Sequence, residues 1–186
     1  MGSEMCIRDR CGNIGRPLIE LIDEKHKFVV CELSSYQCSD LSVSPQIVLF
    51  TNLFPEHIDW HRSHDNYYRD KVHLVANQQP GDICFVNDKC DKLKKYCSAY
   101  LLPYRYYNQK EGFAEIDNVL CRNGKPLLHI EDVKLEGYHN LDNMAGVLSV
   151  INYLGLDIDK AVESFKDFTA CLLYTSPSPR DPKTSR

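Results

Sequence analysis

Hydrophobic positions in the first half of the chain form short continuous runs, and a helical pattern separates two of them. KFVVCELSS and SPQIVLFTNL each contain such a run, and GDICFVNDK, introduced by a Pro-Gly turn, is a third strand candidate. Runs of this kind are typical of strands buried on both faces of a parallel sheet. HDNYYRDKVHLVANQ has helical spacing instead. The pattern therefore predicts buried strands and a helix that connects two of them.

A segment near the start, GNIGRPLIELIDEK, begins with closely spaced glycines and continues with apolar residues at helical spacing. It predicts a glycine turn followed by an amphipathic helix. The apolar face of that helix is expected to consist of Leu18, Ile19 and Ile22.

The second half has a different pattern. FAEIDNVLCRNGKPLLHI predicts a hairpin, because Asn123-Gly124 is the preferred pair for a type I′ turn. EGYHNLDNMAGVLSVINYLG predicts a long helix that ends at Gly155, and DIDKAVESFKDF predicts a short final helix. Strands and helices in alternation, with one inserted hairpin, imply an α/β domain with a mainly parallel sheet.

Composition narrows the class of protein. The chain has 186 residues, 43% of them hydrophobic and 26% charged, with a net charge of −4, which is ordinary for one globular domain. No basic run suggests a nucleic-acid partner, and no apolar run approaches the roughly 18 residues of a membrane span. No secretory signal is apparent. Nine cysteines, an odd number without a CxxC pair, favour a reduced, cytoplasmic compartment.

The two ends of the chain share no pattern with its centre. MGSEMCIRDR at the start and CLLYTSPSPRDPKTSR at the end resemble peptides translated from sequencing-adapter DNA. We therefore expect residues 1–10 and 171–186 to be artefacts, with a genuine disordered tail as the alternative. The folded domain is expected to span residues 11–170.

Three polar clusters follow predicted turns or strands, where an open parallel sheet binds its ligands. Gly12-Asn13-Ile14-Gly15 suits either a simple turn or an anion site at a helix start. Glu32-Leu33-Ser34-Ser35 suits either a Mg²⁺ carboxylate or a helix N-cap. The third cluster lies in FPEHIDWH, where His57 and His61 have the i, i+4 spacing of zinc ligands. Ile58 stands where the HExxH zinc motif requires Glu, so the three clusters favour magnesium and phosphate over zinc.

Taken in order and spacing, five motifs resemble the central domain of the Mur ligases: GNIGRP, ELSSYQ, TNLFPEHIDWH, YYRDK and GYHNLDN. The resemblance implies a P-loop-type α/β fold and an ATP-dependent amide ligase of peptidoglycan precursor synthesis. ELSSYQ is similar to the branch that adds D-glutamate to UDP-N-acetylmuramoyl-L-alanine. The implied cofactors are ATP and Mg²⁺, and the implied whole enzyme is a cytoplasmic monomer.

The resemblance also implies roles for particular residues. Substrate contacts are implied for Gly12, Asn13, Ser34 and His57. Metal binding is implied for Glu32, His57 and Lys71, and Lys71 is expected to be carbamylated. Lys71 and His57 are also the implied catalytic residues. Contacts near the ATP adenine are implied for His139, Asn140 and Asn143. Glu56 and Asp59 are expected to cap and orient their loop, His61 and His64 to be solvated, and Tyr67 and Tyr68 to pack in the helix.

The family's phosphate loop is missing, since no GxxxxGK[ST] occurs in the sequence. We therefore expect an internal ligase fragment without activity of its own, marginally stable and prone to aggregate through an exposed sheet edge. Three alternatives remain open. They are another ligase of the same superfamily, a non-catalytic magnesium- or nucleotide-binding module, and a zinc hydrolase using His57, His61 and His64.

Overall fold

The computed structural model describes residues 10–12, 18–21, 25, 27–100, 103–135 and 137–168. The chain divides into two compact units, Met1–Tyr107 and Asn108–Arg186, and each is described by itself. Within the described residues, no helix is long and apolar enough to cross a membrane.

The first unit contains two parallel sheets. A two-stranded sheet pairs β1 (Arg10–Gly12) with β2 (Val30–Glu32), and a three-stranded sheet has the order β3 (Ile47–Phe50), β4 (Ile83–Asn87), β5 (Tyr104–Tyr107). The helices of this unit are α1 (Ser35–Ser39), α2 (Ile58–His61), α3 (His64–Val72) and α4 (Asp91–Cys97). The predicted strands and the predicted helix at α3 are confirmed.

The central strand β4 accounts for the core of this unit. All five of its residues are buried, because β3 and β5 pair with its two edges and residues of α3 and α4 pack in the same core cluster. Its core cluster includes Val86, Leu93 of α4, and Tyr67, Tyr68 and Val72 of α3. The prediction that Tyr67 and Tyr68 serve in helix packing is confirmed, since both are buried in this cluster.

The prediction of a buried strand at KFVVCELSS is correct for the strand and wrong for its burial. In β2 and just before it, Val29 and Val30 are 42% and 55% exposed. The reason is that β2 pairs with β1 alone in its own short sheet. The strand β1 was not predicted, and Gly12, expected in a turn, is its last residue.

The predicted amphipathic helix after the glycines is also corrected. A 3₁₀ segment, Leu18–Leu21, takes its place among the described residues there, and Ile22 lies outside them. Leu21 is 5% exposed whereas Ile19 is 70% exposed. A 3₁₀ helix advances three residues per turn, so it does not present the face expected from a 3.6-residue period.

The second unit is a three-stranded antiparallel meander with one helix packed on it and a second helix packed on the first. Its strands are β6 (Phe113–Ile116), β7 (Val119–Arg122) and β8 (Lys125–His129), and its helices are α5 (His139–Tyr153) and α6 (Ile158–Asp167). Asn123 and Gly124 have φ of 52° and 74°, as a type I′ turn requires. The predicted hairpin and both predicted helices are confirmed, and Gly155 has the left-handed φ of 66° expected at a helix stop.

The buried tyrosine of α3 predicts how stability depends on alkaline pH. Burial, with a further contribution from the Glu56 charge, raises the pKa of Tyr67 to about 12. In the unfolded chain the Tyr67 hydroxyl has a pKa near 10, so between pH 10 and 12 it ionises in the unfolded state but much less in the folded state. Folding stability therefore falls as pH rises through this range. We expect this ionisation to lower the free energy of unfolding of the wild type by roughly 1–2 kcal/mol between pH 10 and 12. Tyr67→Phe should lack this contribution.

This expectation is checked by urea denaturation of wild type and Tyr67→Phe at pH 8, 10 and 11.5. Burial also raises the pKa of Tyr100 and Tyr104, so both proteins lose stability at high pH and only their difference is informative. A difference that stays constant with pH would contradict the assignment to Tyr67.

Candidate functional site

The segment after β2 carries the first candidate residues. Glu32 ends the strand and is exposed. Ser34 is the N-cap of α1 in a capping box, in which its hydroxyl accepts from the Gln37 amide at 3.3 Å and its own amide donates to Gln37 Oε1 at 2.9 Å. Of the two interpretations left open for this cluster, the N-cap is what the Ser34 hydroxyl does here. Glu32 is the exposed carboxylate at the end of this strand.

Lys71 reaches this same segment from α3. Its Nζ donates to the backbone oxygen of Leu33 at 3.3 Å, and its side chain is half-buried. An ordinary surface lysine of a helix would extend into solvent. Lys71 is instead held beside the residue that joins Glu32 to Ser34, although 38 positions separate Lys71 from Leu33.

His57 lies close to the start of α1 as well. Its ring centroid is 5.1 Å from that of Tyr36, the second residue of α1. His57 adopts a left-handed conformation, with φ of 53° and ψ of 38°, immediately before α2. This conformation is costly for a residue with a Cβ, and such strain is often found at functional sites. Three segments bearing candidate ligands therefore come together around the first turn of α1.

The acidic neighbours of His57 do not have the capping role predicted for them. Glu56 and Asp59 are exposed, and α2 begins without a side-chain cap hydrogen bond. The left-handed backbone of His57 starts the helix instead, with the amides of Trp60 and His61 donating to the His57 oxygen.

The prediction that His61 is solvated is wrong, whereas His64 is exposed as predicted. His61 is 3% exposed, and its Nδ1 lies 2.6 Å from Asp70 Oδ2 while its Nε2 lies 2.9 Å from Ser35 Oγ. Buried polar groups require such partners, and Ser35 and Asp70 were not predicted as site residues. The HxxxH spacing was the only sign of His61, and spacing alone does not reveal burial.

In the second unit the candidate ATP contacts lie on the first two turns of α5. His139 is exposed, whereas Asn140 and Asn143 are half-buried. Leu141 and Met144 of the same turns are buried, which fixes the helix on the meander. Asn108 Nδ2 donates to Asp142 Oδ1 at 2.9 Å and ties the loop after β5 to the same turn.

The glycine before these residues has a specific role in placing His139. Gly137 has a φ of +98°, and a Cβ built there would lie 2.6 Å from His139 Cε1 and 2.9 Å from its Nδ1. The imidazole therefore folds back over the glycine, in space that any other residue would fill. Of the remaining predicted site residues, Gly12 is the last residue of β1, and Asn13 lies outside the described residues.

We expect Gly137→Ala to destabilise the second unit by about 1 kcal/mol, from backbone strain, and to displace the exposed His139 ring. Gly112→Ala is the matched control, since Gly112 has a similar φ of +88° with nothing within 4 Å of its Cβ position. The control should lose only the strain contribution, about 1 kcal/mol. Urea denaturation followed by circular dichroism measures both. The His139 proton resonance should shift in Gly137→Ala and not in Gly112→Ala, and an unchanged resonance in Gly137→Ala would exclude the proposed displacement.

The donor set around α1 fits magnesium better than zinc. Among the described residues, no three His, Cys, Asp or Glu side chains lie close enough to form an all-protein metal cage. Mg²⁺ does not need one, because it is commonly held by one or two carboxylates together with waters and substrate phosphates. Zinc takes three or four protein ligands, and both nitrogens of His61 are already engaged.

The sequence matches the Mur ligase middle domain over residues 14–151. It is 38% identical over 151 residues to the UDP-N-acetylmuramoyl-L-alanine--L-glutamate ligase of Xanthomonas axonopodis pv. citri, covering 78% of this chain and 32% of that protein. It is 30% identical over 165 residues to the UDP-N-acetylmuramoylalanine--D-glutamate ligase of Latilactobacillus sakei, covering 85% and 36%. The chain belongs to the Mur ligase family, and it spans about a third of the length of these relatives.

Solved structures agree on the fold. The chain is similar to the UDP-N-acetylmuramate:L-alanyl-gamma-D-glutamyl-meso-diaminopimelate ligase from Neisseria meningitides, with a TM-score of 0.60 and 16% identity over 80% of this chain and 50% of that one. A D-alanyl-D-alanyl-adding ligase from Acinetobacter baumannii gives a TM-score of 0.55 and 14% identity, covering 77% and 34%. The fold class expected from the motifs is therefore confirmed.

Proposed function

We propose that this chain is the middle segment of an ATP-dependent ligase that joins glutamate to UDP-N-acetylmuramoyl-L-alanine in peptidoglycan precursor synthesis. In the proposed reaction, a substrate carboxylate oxygen attacks the γ-phosphorus of ATP, the bond to the β,γ-bridging oxygen breaks, and an acyl phosphate and ADP result. The glutamate amine then attacks the acyl carbon, and phosphate leaves as the amide forms. The observation that carries the proposal is the match to the Mur ligase middle domain over residues 14–151, together with 30–38% identity to glutamate-adding ligases. The 3.3 Å contact of Lys71 with Leu33, between Glu32 and Ser34, supports the proposed metal site.

In this proposal Lys71 acts as a carbamate. Its neutral amine attacks CO₂, a new N–C bond forms, one C=O electron pair moves to oxygen, and the nitrogen loses a proton to water. The product is a carboxylate-like group close to Glu32. The two groups would supply the oxygen ligands that Mg²⁺ prefers, and His57 would be a further ligand. The bound ion would neutralise charge on the phosphates of ATP.

In the second unit, we propose that His139, Asn140 and Asn143 contact the adenine of ATP. The amide side chains of Asn140 and Asn143 can both donate and accept, as recognition of a purine edge requires. Gly137 supports this role by leaving room for the His139 ring. Gly12 and Asn13, with Ser34, are proposed to contact the nucleotide-sugar substrate.

The added amino acid is either D- or L-glutamate, and a specific observation favours each enantiomer. ELSSYQ is similar to the D-glutamate-adding branch, whereas the relatives with 34–38% identity in this comparison are named L-glutamate ligases. The whole protein, recovered with its flanking coding sequence, should release phosphate from ATP only when UDP-N-acetylmuramoyl-L-alanine and one glutamate enantiomer are both present. Comparing the two enantiomers decides between them.

The 186-residue chain alone is expected to release no phosphate in the same assay. The reason is that the sequence contains no phosphate loop whose amides and lysine would stabilise the transferred group. Turnover by this chain would overturn that expectation. If the whole protein is inactive with either glutamate but active with another amino acid, the alternative of a different ligase of the superfamily is correct.

A further inference from the structure

His61 occupies an enclosed aromatic site at the end of α2. Its ring stacks on Tyr36 with a centroid distance of 5.6 Å and an interplanar angle of 27°. Trp60 and Tyr67 make edge contacts with the same ring at 4.5 Å and 5.2 Å. The ring is thus held by packing on three sides, and rotation about its side-chain bonds would break these contacts.

Two hydrogen bonds fix the orientation of the ring within this site. Asp70 Oδ2 lies 2.6 Å from Nδ1, and Ser35 Oγ lies 2.9 Å from Nε2. Because a carboxylate accepts, Nδ1 carries the proton, and in the neutral ring Nε2 accepts from the Ser35 hydroxyl. The network therefore selects one tautomer and one direction for the Ser35 hydroxyl.

A Ser–His–Asp chain is also the arrangement of a hydrolase triad. Here Ser35 and His61 are each 3% exposed, so a substrate cannot reach the hydroxyl. Nucleophilic catalysis is therefore excluded by burial, and the network must act through the segments that it connects.

Those segments are the ones that carry the candidate ligands. Ser35 lies three residues after Glu32, and Asp70 directly precedes Lys71. His61 itself lies four residues after His57, and its backbone oxygen accepts from Asn66 Nδ2 of α3 at 2.9 Å. One imidazole thus joins α1, α2 and α3. Glu32 lies just before α1, His57 is the N-cap of α2, and Lys71 lies in the last turn of α3.

We propose that His61 is a positioning residue that holds Glu32, His57 and Lys71 in register for the magnesium and carbamate site. This inference rests on the proposed function, since it assigns a role to His61 only if those residues bind the ion. His61 itself touches neither substrate nor metal in this proposal. Its effect is transmitted through Ser35 and Asp70.

The test compares His61→Phe with wild type in the 186-residue chain, using Mn²⁺ as the probe ion. Phenylalanine preserves the ring and its packing but removes both hydrogen bonds. We expect the Mn²⁺ dissociation constant, measured by electron paramagnetic resonance, to rise at least fivefold. The carbamate population at Lys71, measured by ¹³C NMR in ¹³C-bicarbonate, should fall in parallel. Ser35→Ala, which removes one hydrogen bond and changes no charge, should have a smaller effect in the same direction.

Val75→Ala is the control for general destabilisation. Val75 is 0% exposed in the same unit, so its truncation weakens the core without removing either hydrogen bond of His61. It should lower the melting temperature but leave the Mn²⁺ dissociation constant within twofold of wild type, in samples that are folded at the temperature of measurement.

The outcomes separate this inference from the proposed function. Absence of both Mn²⁺ binding and carbamate in wild type would count against the proposed magnesium and carbamate site, on which this inference rests. Binding in wild type with no change in His61→Phe would overturn the positioning role alone, as would an equal change in Val75→Ala. If His61→Phe does not fold, Ser35→Ala decides, because an unchanged dissociation constant in that variant contradicts the inference.

Discussion

Replacing Lys71 by methionine should abolish the lysine carbamate and weaken Mn²⁺ binding by tenfold or more in the 186-residue chain. Methionine keeps an unbranched side chain of similar reach but has no amine to react with CO₂. Without the carbamate, Glu32 is the remaining proposed carboxylate ligand on this side of the site. A tenfold loss corresponds to about 1.4 kcal/mol, which is modest for removal of one charged ligand.

The measurement is ¹³C NMR in ¹³C-bicarbonate, with and without Mg²⁺. The ion and the carbamate should stabilise each other, so the wild-type signal should grow as Mg²⁺ is added. Lys95→Met is the matched control, because Lys95 is an exposed lysine of α4 in the same unit. It should retain the signal, as should the background carbamate of the N-terminal amine. A Lys71→Met spectrum identical to that of Lys95→Met would contradict the role of Lys71.

Truncating Leu93 to alanine should cost the first unit about 2–5 kcal/mol of unfolding free energy. Leu93 is 0% exposed in α4 and belongs to the core cluster of this unit. Removing three buried carbons loses their transfer free energy and leaves a cavity that the neighbours fill only in part. Since small domains are stable by about 5–15 kcal/mol, the loss is a large fraction of the total.

Trp60 makes this prediction specific to one unit. It is the only tryptophan of the chain, so fluorescence during urea denaturation follows the first unit. Ile19→Ala is the control, because it also removes three carbons but from a side chain that is 70% exposed. It should change the unfolding free energy by less than about 0.5 kcal/mol. A comparable loss in both variants, or none in Leu93→Ala, would contradict the assigned core.

Secondary structure was most predictable where a residue's environment depends on its immediate neighbours. The segment GDICFVNDK was a strand candidate, and Ile83–Asn87 forms that strand, with all five of its residues buried. The Asn123-Gly124 pair predicted its turn because few residue types tolerate two consecutive positive φ angles. The strand Tyr104–Tyr107 was missed, since it is at the edge of its sheet and two of its residues are exposed, which breaks the apolar run.

The candidate site was predictable to a smaller extent. The motifs indicated Glu32, His57 and Lys71, and the structure brings the segments of all three to the first turn of α1. Their roles in binding remain predictions. The capping function of Ser34 was one of two interpretations that the sequence left open, and the hydrogen bonds to Gln37 identify it.

The sequence by itself determined the family, the strands and helices with strong periodicity, and the residue types available for chemistry. These properties depend on local order along the chain, which a single sequence records directly. Only the tertiary structure decided that Val30 is exposed and that His61 is buried between Ser35 and Asp70. The partners of His61 lie 26 and 9 positions away, and their meeting depends on how three helices pack. Burial of a polar side chain is a property of that packing, because it is tolerated only where distant segments supply its hydrogen bonds.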